Sequence, residues 1–281
     1  MKKCMLVLLI FYCGAAVGQE VRQQPQGEGW LRLSQAVIHA DQFFDSNEER
    51  LSIRTNAIYT TSLSGALGLS GRLTATLYFP FFVRSTINKL QYNQSGKTEA
   101  GNALNSLGDS EIGLVYGFRG HKPFQINGFL KLGLPLGKRT KVGTERDLQT
   151  GDGEFNQLIG VQLYYAPGDR YFISGHVAFN NRTEEFSDEI RFGFEAGYKI
   201  KKFQAVGRIA VKESLFNDSA PVSLNSVYSN HQEYISPAVE VWYALRGSLS
   251  IYSSAAFFPI GRNTLTSPWY EAGLQWALGR H

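Results

Sequence analysis

Apolar and polar side chains alternate along most of this chain. From Glu189 to Ile200, for example, Ile190, Phe192, Phe194, Ala196, Tyr198 and Ile200 fall on one side, and Arg191, Glu195 and Lys199 on the other. Successive side chains of a strand point to opposite faces, so a period of two predicts a strand with one apolar and one wet face. The pattern predicts twelve strands, near 30–40, 50–62, 71–84, 109–119, 124–136, 153–166, 170–181, 189–200, 203–216, 232–245, 248–258 and 268–279. No stretch of helical period separates them. The economical arrangement is all-β: a transmembrane antiparallel up-and-down β-barrel of about 12 strands, apolar outside and polar within.

The connectors fit that arrangement. Those after odd strands include 85–108, 137–152 and 217–231, whereas those after even strands are tight, such as 120–123, 167–169, 201–202 and 246–247. Long loops on one rim and short turns on the other are the pattern of an outer-membrane barrel, with the short turns periplasmic. Aromatic residues collect toward the strand ends. Tyr59, Phe118, Tyr165, Tyr171, Tyr198, Phe203, Tyr243 and Trp276 are expected near the short-turn rim, and Phe79, Phe81, Phe179, Phe257 and Tyr270 near the other. Two interfacial girdles explain this placement. A soluble β-sandwich also alternates, but gives no reason for aromatics at both ends of its strands. Pro237 falls inside a predicted strand, where a bulge or a late strand start is expected.

The amino terminus changes the picture from a barrel to an exported barrel. Lys2 and Lys3 precede the apolar run Met5 to Tyr12, and Ala15, Ala16 and Gly18 follow, the order of a secretory signal peptide. The expected organisation is a signal peptide over 1–19, a short periplasmic lead-in over 20–28 and a barrel over 29–281. Both cysteines, Cys4 and Cys13, lie in the leader, so no disulfide or thiol chemistry is expected in the mature chain. There are 28 basic residues, two of them in the leader, against 24 acidic ones, spread along the chain. That balance carries no nucleic-acid footprint. The mean hydropathy is mildly negative despite 19 Phe and 14 Tyr, as suits strands with only one greasy face.

The polar register supplies the candidate functional residues. It points Arg54, Glu111, Lys131, Glu154, His176, Arg191, Glu195, Lys199, Arg208, Lys212, Glu240 and Glu271 toward the lumen, along a possible solute path. Charges in a confined interior are costly unless paired or hydrated, so cross-strand ion pairs are expected. Such a lining either holds a filled barrel together or selects what passes. Lys138, Arg139, Lys141 and Arg146 cluster in one long loop, where they could pair with lipopolysaccharide head groups or remain solvated.

Four segments carry a family resemblance: YTTSLSGALGLSGRLTATLYFPF over 59–81, LGDSEIGLVYGF over 107–118, LKLGLPLGKRT over 130–140 and TGDGEFNQLIGVQLYY over 150–165. They resemble the outer-membrane barrels of the MetA-pathway of phenol degradation family, related to barrels that carry long-chain fatty acids and aromatic hydrocarbons. The resemblance spans most of the mature chain and implies a protein that moves small hydrophobic or aromatic compounds, in contact with outer-membrane lipid. The chain departs from the usual pattern in ending Gly279, Arg280, His281 instead of in an aromatic residue, with Trp276 as the nearest substitute. Its lead-in is too short for a plug domain, which argues against an energy-coupled receptor.

Other chemistry is thinner. Ser174 and His176 share the inward face of one strand, as a serine nucleophile and its base would, but side chains two apart on a strand need not meet. The five histidines show no metal-ligand spacing. Asp109 with Glu111, and Asp152 with Glu154, could hold a divalent cation near the loop rim, or simply shape turns. The expectation is therefore a non-enzymatic, cofactor-free outer-membrane channel or transporter passing small hydrophobic or aromatic molecules by diffusion. The alternatives are a structural or adhesive barrel whose loops bind a partner and, behind it, a lipid-modifying enzyme.

Overall fold

The computed structural model describes residues 22–92, 96–121, 123–138, 148–183, 186–219, 222 and 226–279. The expected signal peptide, with Cys4 and Cys13, lies outside the described residues. Twelve strands form the ring: β1 (Gly29–Phe44), β2 (Arg50–Gly68), β3 (Leu73–Ile87), β4 (Ser110–His121), β5 (Phe124–Leu134), β6 (Asn156–Tyr165), β7 (Tyr171–Arg182), β8 (Glu189–Ile200), β9 (Phe203–Ser214), β10 (Glu233–Ala244), β11 (Leu249–Ala256) and β12 (Trp269–Leu278). Each pairs antiparallel with its sequence neighbour. The ring closes where β1 pairs β12, from Gly29 opposite Leu278 to Ile38 opposite Trp269. Closure leaves the ring without a free sheet edge. Among the described residues there is no helix. Short extra strands lie outside the ring: Leu90–Gln91 pairs Thr98–Glu99, and Asn102–Ser106 pairs the outer end of β3.

Alternation sets the two faces. Outward positions such as Leu114, Ile159, Leu163, Val177, Phe194 and Ile251 are exposed, while their chain neighbours Val115, Leu158, Gln162, Ala178 and Glu195 are buried inside the ring. Two expectations need correction. β2 runs to Gly68, six residues past its predicted end, because the small residues of Ser62–Gly68 continue the ladder against β1. Tyr59 consequently sits opposite Val37, which in turn faces Tyr270, so it belongs to the long-loop half and not to the short-turn rim. Pro237 neither bulges β10 nor delays its start. It lies where the partner of β10 changes from Ile260–Arg262 to β11, so its missing N–H falls at a break between two ladders.

The interior is layered. Toward the long-loop rim, Ile38, Phe43, Ile58, Val83, Tyr234 and Trp269 belong to one apolar cluster inside the ring. Val222 and Val227, from the 215–232 connector, pack against it. The described part of that connector therefore folds inward. It is held there by Asn230 Oδ1, which accepts the Ser187 N–H at 3.0 Å, and by Asn263 Nδ2, which donates to the His231 carbonyl at 3.1 Å. At the opposite end, residues 22–28 reach back across the short-turn mouth. The Gln24 N–H donates to Thr74 Oγ1 at 2.8 Å, Arg22 Nη1 donates to Tyr164 Oη at 3.2 Å, and Gly27 N donates to the Gly68 carbonyl at 2.9 Å.

Candidate functional site: the barrel interior

Among the described residues, three ionic groups stand in the interior between the rims, built from side chains that the period of two brings to the inward face of neighbouring strands. The largest centres on Glu189, the first residue of β8 and only 1% exposed. Its carboxylate accepts Arg191 Nη2 at 2.6 Å and Arg182 Nη1 at 2.9 Å, and Lys212 Nζ stands at 3.3 Å. Arg182 also donates to Asp152 Oδ2 at 2.7 Å, tying the group to the start of β6. In the second group, Arg208 holds two acids. Its Nε donates to Glu195 Oε1 at 2.8 Å, and its Nη1 and Nη2 grip both oxygens of Glu240 at 2.9 Å each. Trp242 Nε1 adds a bond of 2.6 Å to Glu240. The third is Lys131 with Glu111 at 2.8 Å. Glu195 on β8 lies directly opposite Arg208 on β9, and Glu240 lies two residues past Ala238, the β10 residue opposite Arg208, on the same face, so one carboxylate reaches the guanidinium across the ladder and the other diagonally.

The remaining candidates have other partners. Glu154 is fully buried and accepts Thr183 Oγ1 at 3.3 Å. His176 sets its ring edge against Phe129, centroids 6.1 Å apart, and faces Gly193, where a Cβ would come within 2.1 Å of the imidazole. Ser174 Oγ is buried without a hydrogen-bond partner, so it is not bonded to His176 and the two do not form a nucleophile–base pair. Glu271 accepts the Tyr252 hydroxyl. Lys199 is exposed at the short-turn rim. Arg54 does not reach the ion-pair belt. It donates to the carbonyls of Asn88, Glu99 and Ala100 and so fastens the 88–109 connector. Of the loop cluster, Lys138 is exposed, and its N–H donates to Thr150 Oγ1 at 2.8 Å. Arg139, Lys141 and Arg146 lie outside the described residues.

Sequence reasoning missed Glu189 and Arg182 as interior ions because both stand at strand ends, although Glu189 shares parity with Arg191. The acids paired by sequence separate in space: Glu111 turns to Lys131, and Glu154 to Thr183. Asp109 and Asp152 meet instead. Asp109 Oδ1 accepts the Gly137 N–H at 2.8 Å, and Oδ2 accepts the Asp152 N–H at 2.6 Å. Burial, then the neighbouring Asp152 charge, pushes the Asp109 carboxyl up to about 7.

Between the belt and the short-turn rim lies a cavity of about 970 Å³. Trp30, Arg32, Tyr164, Phe172, Trp242 and Gln275 contribute to its wall, and Arg22 to Gln26 to its mouth. Tyr164 and Phe172 stack with centroids 5.5 Å apart and planes at 23°. Arg32 lies 5.0 Å from the Trp30 ring centroid, 4.7 Å from Trp242 and 4.6 Å from Tyr252, and Trp242 stacks on Tyr252 at 4.6 Å. The wall is largely polar, with charged and amide side chains around these rings, so the cavity offers a small organic molecule both stacking surfaces and hydrogen-bond partners.

No protein-family model matches the chain, and no curated protein matches it. Solved structures share its fold. The COG4313 outer membrane channel from Pseudomonas putida F1 superimposes with a TM-score of 0.64 at 10% identity, covering 94% of this chain and 100% of that one. The translocator domain of the autotransporter NalP from Neisseria meningitidis gives 0.54 at 10% identity over 91% of this chain and 90% of that one. The beta domain of the Bordetella autotransporter BrkA gives 0.50 at 14% identity over 90% and 100%. At these identities the likeness shows the fold: a closed, twelve-stranded antiparallel barrel.

Proposed function

We propose that the protein is an outer-membrane channel for passive passage of small hydrophobic or aromatic molecules. The observation that carries this reading is the 970 Å³ cavity, polar-walled but set with aromatic rings such as Trp30, Tyr164, Phe172 and Trp242, inside a closed barrel whose outer face is apolar. An exposed band of Leu, Ile, Val and Phe on a ring without edges is stable in lipid, and a half-open interior is of use only if something enters it. The resemblance of the 59–81, 107–118, 130–140 and 150–165 segments to phenol-degradation barrels supports the solute class, and the fold shared with an outer membrane channel supports the location. Passage needs no cofactor: solute diffuses along ring-lined and charge-lined walls. The basic 138–146 loop would face lipopolysaccharide.

A second reading, a structural or adhesive barrel, is favoured by one observation: the long-loop half of the lumen is packed by an apolar cluster that includes Val222 and Val227. Uptake by liposomes decides between the two. Vesicles carrying the refolded protein are compared with bare vesicles for entry of a small sugar, an organic anion and a phenol-sized neutral aromatic. Saturable entry of the aromatic supports the channel; no entry of any probe above background favours the structural barrel.

A further inference from the structure

We propose that the short-turn cavity is a binding site for small aromatic carboxylates, a proposal that rests on the channel reading and narrows its solute class. The observations meet at Arg32, which is 9% exposed. Gln275 Oε1 accepts from its Nε at 3.3 Å and its Nη2 at 3.1 Å, and the rings of Trp30, Trp242 and Tyr252 surround the guanidinium within 5.0 Å. One edge and both flanks are thus fixed. Nη1 makes no hydrogen bond among the described residues. The indole N–H of Trp30, beside it on the cavity wall, is buried without an acceptor.

The protein's own carboxylates nearby are already engaged. Glu240 is gripped by Arg208 and Trp242, and Glu271 accepts the Tyr252 hydroxyl. What the site lacks is an acceptor for a planar, forked donor, and a carboxylate has the matching geometry. The rings around the fork favour a flat apolar body attached to that carboxylate. At the mouth, Arg22, Arg170, Lys199 and Lys202 line the same cavity against Glu28 and Asp169, so the approach also favours an anion. A neutral phenol would use the rings and leave the fork unmatched. A simple anion would use the fork and leave the rings unused. An aromatic carboxylate uses both.

The test is a titration of the refolded protein in micelles with benzoate, benzyl alcohol and acetate, followed by calorimetry and by intrinsic tryptophan fluorescence, to which Trp30 and Trp242 contribute beside Trp269 and Trp276. Benzoate is expected to bind saturably and about tenfold or more tightly than either single-feature probe, as loss of a charge-assisted hydrogen bond predicts. Arg32→Gln is expected to abolish that preference while benzyl alcohol binding holds. Should it fail to refold, Arg32→Lys replaces it, keeping the charge and losing the fork. Equal affinity for benzyl alcohol, equal affinity for acetate, absence of benzoate binding, or undiminished benzoate affinity in the folded variant each overturns the proposal. Liposome uptake of a neutral aromatic without benzoate binding would sink this site and leave the channel standing. Benzoate binding without uptake of any probe would keep the site and sink the channel.

Discussion

Asp109 accepts the backbone N–H of Asp152 at 2.6 Å, across 43 residues of chain, so the residue just before β4 fixes the approach to β6. The same carboxyl accepts the Gly137 N–H, and a Cβ on Gly151 would come within 2.2 Å of it. A side chain at position 151 would therefore displace the Asp109 carboxyl from its two backbone bonds.

This contact predicts a pH dependence. In the native protein Asp109 keeps its proton up to about 7, whereas an unfolded aspartic acid releases it near 4. Between those values the unfolded chain binds fewer protons, so stability falls as pH rises from about 4 to about 7 and levels off above. At about 1.4 kcal/mol for each pH unit crossed, the loss of stability across that window is at most about 4 kcal/mol. Thermal unfolding in micelles at pH 5 and pH 8 should show the drop, and Asp109→Asn should flatten it. An unchanged slope in the variant would exclude Asp109 as its source.

Removing Arg208 leaves Glu195 and Glu240 buried without their shared cation. Breaking a buried ion pair from one side costs about 3–5 kcal/mol, more than the pair itself contributes. Arg208→Met is therefore expected to destabilise the barrel by that amount in urea unfolding from micelles. Adding Glu195→Gln and Glu240→Gln should recover most of it. No recovery would mean that Arg208 acts through packing and not through charge.

Gly193 leaves room for the His176 ring. In Gly193→Ala the new methyl meets the imidazole, which must swing away from Phe129, at a cost of about 1–3 kcal/mol for overpacking. His176→Ala alone opens a cavity, but the double variant is expected to be more stable than the sum of the two single losses. A double-mutant cycle in urea measures this coupling, and strict additivity would contradict the packing argument.

Val227 belongs to the inward fold of the 215–232 connector. Val227→Asp places a charge against the apolar cluster of the long-loop half, an environment that drives it toward water. The connector is expected to leave the lumen, and liposome uptake of a neutral aromatic to rise several-fold over the parent protein. Unchanged uptake would show that this packing does not limit passage.

The barrel was legible in the chain because its signal is local. Alternation such as that of Glu189–Ile200 needs no knowledge of the rest of the molecule, and a strand with one greasy face restricts itself to a sheet that can use that face. The tight turns at 201–202 and 246–247 set the order of neighbours for the same reason. Parity along each strand likewise identified Lys131, Arg191, Glu195, Arg208 and Glu240 as inward-facing positions.

Partnership within the lumen was decided only by closure and register. Arg208 reaches Glu195 and Glu240 because β8, β9 and β10 align them, and one residue of slip would turn every one of these side chains to the other face. Arg32 meets Trp242 and Tyr252 because the ring closes β1 onto β12, bringing residues from the two ends of the chain to one wall. The extension of β2 to Gly68, the meeting of Asp109 with Asp152, and the inward fold of Val222 and Val227 have no local pattern to betray them. They follow from what a closed wall leaves inside: a confined volume in which a connector can bury apolar side chains, and charges must find partners across strands.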